Sequence, residues 1–82
     1  MPTVLRIGGL RVVVYVNDHR PAHVHVIGNG HETVFELNGS DVTVVLRENY
    51  GFSRREIAKI ERALVRNLAT LISAWERIHG AV

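Results

Sequence analysis

The chain contains no cysteine. Neither a disulfide framework nor a cysteine-based zinc site can hold it together. Redox chemistry therefore does not fix its compartment, although a thiol-free chain suits the cytosol. Aromatic residues make up only 6% of the sequence, and no run of them offers a platform for stacked bases. No stretch approaches the roughly 18 apolar residues of a membrane-spanning helix, and the first residues lack the pattern of a secretory signal. The expectation is a soluble cytoplasmic protein without a membrane partner. The net charge is only +2, too small to establish a nucleic-acid partner by itself.

At 82 residues, the chain is the size of one small domain. Such a domain buries roughly 60–65% of its unfolded surface, enough for a single core. Apolar residues form 46% of the composition, which argues for a folded chain and against disorder. Nine of the ten basic residues are arginine, the side chain suited to bidentate contacts with phosphate or carboxylate.

The first half alternates and the second half is helical. Val4 to Ile7 and Leu10 to Val16 are β-branched runs separated by Gly8-Gly9, a hairpin signal. Pro21 marks the loop from Asn17 to Ala22. His23 to Ile27 and Glu32 to Leu37 flank Asn29-Gly30, the strongest short hairpin signal present. Asn38 to Asp41 reads as a turn and Val42 to Arg47 as a further strand. The segment Arg47-Glu48-Asn49-Tyr50-Gly51-Phe52 reads as an ordered strand-to-helix turn from which Arg47 and Tyr50 can reach the histidines. Ser53 and Glu56 form a capping-box signature. Ile57, Ile60, Leu64, Leu68, Leu71, Trp75 and Ile78 then recur at helical spacing, widened by Val65 and Ile72, and Gly80 is a natural stop.

These signals predict one α+β domain over residues 1–82. A meandering antiparallel sheet of four to five strands spans about 3–48, and one long helix, about 54–79, lies on one face. A straight helix of that length is about 39 Å long. A seven-residue strand covers about 23 Å. Either the helix bends or its end packs on a second copy, and the homodimer is the preferred expectation. With Asn29-Gly30 at the turn centre, His23 falls opposite Glu36 and His25 opposite Val34. Val24, Val26, Phe35 and Leu37 then share the other face.

The window Asp18-His19-Arg20-Pro21-Ala22-His23-Val24-His25-Val26 holds three of the five histidines. His23 and His25 project from the same strand face. Such a pair can trade protons near neutral pH, with Arg20 on a phosphate and Glu36 orienting His23, a set suited to metal-independent RNA cleavage. It can also chelate a metal, with His19, Asp18 or a glutamate as third ligand. Or it can be a solvated or interface pair. Metal ranks last because no second cluster has ligand spacing, so the sequence assigns no cofactor and no metal site. On the helix, Arg55, Lys59, Arg62 and Arg66 step by four, three and four away from the apolar stripe. They can track a phosphate backbone, grip an acidic partner, or simply remain solvated.

The Asp18-His19-Arg20-Pro21-Ala22-His23-Val24-His25 core resembles one bacterial family, domain of unknown function 4160. So do the opening Met1-Pro2-Thr3 with its Gly-Gly hairpin, Phe35-Glu36-Leu37-Asn38 and the segment from Asn67-Leu68 to Trp75-Glu76. The resemblance spans nearly the whole chain. Ala22 departs from it, standing where a second proline is often found, and the Arg47–Ser53 turn replaces a more varied linker. The resemblance implies membership of a small two-gene, toxin–antitoxin-like module, hence a small partner protein and an RNA or DNA target. As the toxin, the chain would use His23 and His25 as base and acid, with Arg20 and Glu36. As an antitoxin, inhibitor or regulatory module, it would bind protein or nucleic acid without catalysis.

Overall fold

The structure is a computed structural model that describes residues 3–80. Met1 and Pro2 of the family-like opening lie outside the described residues. Five strands form one antiparallel meander in the order β1-β2-β3-β4-β5: β1 Thr3–Ile7, β2 Leu10–Val13, β3 His23–Gly28, β4 His31–Asn38 and β5 Thr43–Tyr50. The α+β class and the meander agree with the sequence pattern.

Turn chemistry sets the register. Asn29 and Gly30 both have positive φ, as a two-residue hairpin matched to strand twist requires. That turn places His23 opposite Glu36 and His25 opposite Val34. Val12, Val24, Val26, Phe35, Leu37 and Val44 then build the core with both helices. His23, His25, Glu32, Val34 and Glu36 fall on the opposite face by strand alternation. The last strand runs further than its composition suggests. Arg47 to Tyr50 continue β5, so the expected turn begins only at Gly51. A bulge makes this possible: Phe35 pairs with Leu46 but Val34 pairs with Glu48, which leaves Arg47 as the extra residue.

The long-helix expectation needs correction. The helical region is two helices, α1 Arg54–Arg66 and α2 Leu68–His79. Asn67 separates them with φ −112° and ψ 19°. Its side-chain amide donates to the Ala63 carbonyl at 2.8 Å, and its backbone N–H is shared between Ala63 and Leu64. A local side-chain bond thus competes with the regular ladder and caps the first helix. The apolar stripe survives the break: Ile60, Leu64, Leu68, Leu71 and Trp75 are all buried. The length argument for a homodimer assumed one unbroken helix, and that premise does not hold.

The start of α1 matches its signature. Ser53 Oγ accepts from the Glu56 N–H at 3.1 Å, and Glu56 accepts from the Ser53 N–H at 2.8 Å. The backbone N–H of Ser53, then its hydroxyl, hold the Glu56 carboxyl below its usual range. A depressed carboxyl contributes stability above its unfolded value and loses it as pH falls through the folded value. Acidification therefore undoes this cap.

Two turn residues make the fold testable. Val42 has φ +54°, a left-handed conformation that a β-branched residue adopts at a cost of about 1–2 kcal/mol. Gly51 has φ +109°, and a Cβ there would run into the His31 imidazole. Urea unfolding should show Val42→Asn gaining about 1 kcal/mol. Gly51→Ala should lose about 2 kcal/mol or more. Unchanged midpoints would mean that neither turn is strained.

Candidate functional site

The histidine window becomes a compact polar centre. β2 ends at Val13, and the chain turns back through Tyr15 to Asp18. The Asp18 N–H donates to the Tyr15 carbonyl at 3.0 Å, and the Tyr15 N–H donates to Asp18 Oδ2 at 3.1 Å. This reciprocal pair fixes the carboxylate over the strand face. Arg20 and Pro21, joined by a cis peptide bond, bring the chain back into β3.

The two imidazoles are held from behind. His23 Nδ1 is 2.8 Å from the Pro21 carbonyl, which can only accept. His25 Nδ1 is 3.0 Å from Glu32 Oε2, also an acceptor. Both partners favour the Nδ1–H form and leave the Nε2 lone pairs pointing away. Those lone pairs meet Asp18: His23 Nε2 lies 3.4 Å from Oδ1 and His25 Nε2 lies 3.3 Å from Oδ2. The three side chains are only 8%, 15% and 14% exposed for His23, His25 and Asp18. His25 Nε2 is buried with no hydrogen-bond partner. Among the described residues, Asp18, His23 and His25 are the three whose donor atoms gather closely enough to hold one metal ion.

Aromatic rings wall the centre. Tyr15 stands edge-on to His25 at 4.4 Å between centroids, and Trp75 of α2 lies 5.3 Å from His23. Burial, then the Glu32 and Asp18 carboxylates, push the Tyr15 phenol above its ordinary value. Trp75 is fully buried, so it serves the core, as its place in the stripe suggests.

The other anticipated residues are dispersed. Glu36 stands opposite His23 in register, but its carboxylate lies 4.0 Å from Arg47 Nε. The carboxylates beside the imidazoles are Asp18 and Glu32. Arg20 is exposed on the loop leading to the site. Tyr50 pairs with Glu32 and so lies on the histidine face, its hydroxyl donating to Glu48 at 2.9 Å. That bond, then the Glu48 charge, raise the Tyr50 phenol. Arg55, Lys59, Arg62 and Arg66 are all exposed on α1, remote in sequence and element from the imidazoles. His19, the first-named third ligand, is exposed, while Asp18 turns inward. Glu32 had a readable signal: it is the diagonal cross-strand neighbour of His25. Asp18 was among the third ligands the sequence offered, whereas Tyr15 had no signal beyond proximity in sequence, because an irregular loop places it.

A family model describing a domain of unknown function, DUF4160, matches residues 9–76. The chain belongs to this family. The match includes the site loop, both central strands and most of both helices. No curated protein and no solved structure matches the chain.

If Asp18 organises the loop, its removal is costly. Asp18→Ala would strip the Tyr15 N–H of its partner and leave two largely buried imidazoles without the carboxylate they face. The expected loss is about 1–3 kcal/mol in urea unfolding. Glu61→Ala on the exposed face of α1 should stay within about 0.5 kcal/mol. Equal effects of the two would show that the carboxylate is not structural.

Proposed function

We propose that this chain is a non-catalytic, partner-binding component of a two-gene, toxin–antitoxin-like module, with β5 as the strand that receives the partner protein. The observation carrying this reading is the outer sheet edge. β5 is eight residues long, and no further strand pairs with it among the described residues. Val45, Leu46 and Tyr50 along it are 53%, 45% and 61% exposed. A long edge with exposed apolar side chains is a template for strand addition, with backbone hydrogen bonds supplying affinity and side chains supplying choice.

The ribonuclease-like alternative asks more of the site. A general base must reach its proton within hydrogen-bond distance. Here the Nδ1 atoms of His23 and His25 are occupied, and their Nε2 atoms face Asp18. Glu36 is turned towards Arg47. The exposed row Arg55, Lys59, Arg62 and Arg66 favours nucleic acid as a second binding partner of the same module.

Co-expression with the product of the adjacent gene tests the reading. A stable complex is expected for the wild type, weakened at least about ten-fold by Val45→Lys with Leu46→Lys. Native mass spectrometry would separate that complex from a homodimer. Induced expression of the chain alone should leave bacterial growth unchanged. Growth arrest by the wild type, absent in the His23→Ala/His25→Ala double variant, would replace this reading with a toxin. Nucleic-acid binding through α1 would weaken steeply with salt and be lost in Arg62→Glu with Arg66→Glu.

A further inference from the structure

The geometry points to a divalent transition-metal site formed by the Asp18 carboxylate with the Nε2 atoms of His23 and His25. The first support is electrostatic. Pro21 O and Glu32 Oε2 are each placed to accept an Nδ1–H, and a ring with its one proton there presents an Nε2 lone pair to a carboxylate. In that form two nitrogen and two carboxylate-oxygen acceptors converge, and a cation relieves their repulsion. Either a proton or a metal ion can supply it.

Distance separates the two. A charge-assisted N–H···O bond is about 2.7–2.9 Å long. The nitrogen–oxygen separations here are 3.4 and 3.3 Å, and the buried His25 Nε2 makes no hydrogen bond. Two ligand atoms about 2.05 Å from one tetrahedral ion lie about 3.3 Å apart. Each observed separation is in that range, one to either oxygen of the carboxylate. The donor atoms of all three residues fall within 4.8 Å of one another, so an ion would draw them closer together.

The surroundings are those of a metal centre. Metal-binding imidazoles donate their second N–H to a carbonyl or carboxylate, which fixes the ring and raises its basicity. Pro21 O and Glu32 do this here. The Asp18 carboxylate is already held by the Tyr15 N–H. Two imidazoles and one carboxylate suit zinc and its first-row neighbours, and leave a coordination position for water or another ligand atom. The ion would pin the 15–22 loop to β3, since Asp18 belongs to one and both histidines to the other.

The test uses untagged protein stripped with chelator and titrated with zinc chloride by calorimetry, with cobalt(II) absorption as a second reporter. One equivalent should bind. Asp18→Asn and His25→Ala should each weaken binding more than about 100-fold, and Glu32→Gln about 10–100-fold through the second N–H. His19→Ala should bind as the wild type does. Nitrogen NMR of the wild type avoids dependence on variants: zinc should shift Nε2 of His23 and His25 and leave their Nδ1 atoms protonated. Binding far below one equivalent, equal affinity in Asp18→Asn, loss in His19→Ala, or unshifted Nε2 resonances would each overturn the site. Retained Nε2 protons on both rings would assign the cation as a proton instead.

Discussion

The Asp18 carboxylate is the point on which the polar half of the molecule depends. It closes the turn after β2 through the Tyr15 N–H and faces both imidazoles of β3. Without that anchor, a loop of exposed polar residues between two strands has little to define its path. With it, the loop becomes one wall of a nearly dry centre, with Tyr15 and Trp75 at its sides. Low exposure raises the stakes. Groups that would be hydrated on an open sheet must here find partners inside the protein.

The apolar half is governed by ordinary packing. The sheet offers a valine-rich face, and the two helices cover it with Ile60, Leu64, Leu68, Leu71 and Trp75. Asn67 lets a stripe made for one long helix follow the sheet as two shorter ones. The capping box and Phe52, buried just ahead of it, fix where α1 begins. The same core that stabilises the fold also places Trp75 against His23. The two halves therefore meet at the start of β3.

The two faces divide the functional possibilities. The histidine centre is inward and suited to holding something small. The β5 edge and the basic row of α1 are outward and suited to macromolecules. This division lets the proposed binding edge and the proposed metal site occupy separate parts of one short chain. Family membership covers both regions but specifies no chemistry for either, since function resides in sites and not in folds.

Period-two alternation, the Asn29-Gly30 turn and the Ser53/Glu56 cap were sufficient to read most of the strands, the central register and the start of α1, although the second strand ends at Val13 and not at Val16. These features depend on neighbours within a few residues, which is why they are legible in one dimension. The convergence of His23 and His25 on one face followed from the same rule. The break at Asn67 was not legible, because an asparagine on an apolar repeat looks like any solvated position until its amide finds Ala63. The extension of β5 through Arg47–Tyr50 was hidden by polar composition and enabled by a bulge. The inward turn of Asp18, in place of His19, was decided only by the folded loop. In sum of forces, local propensity chose the elements. The distance-dependent electrostatics of groups brought together by tertiary contact chose the partners of the imidazoles.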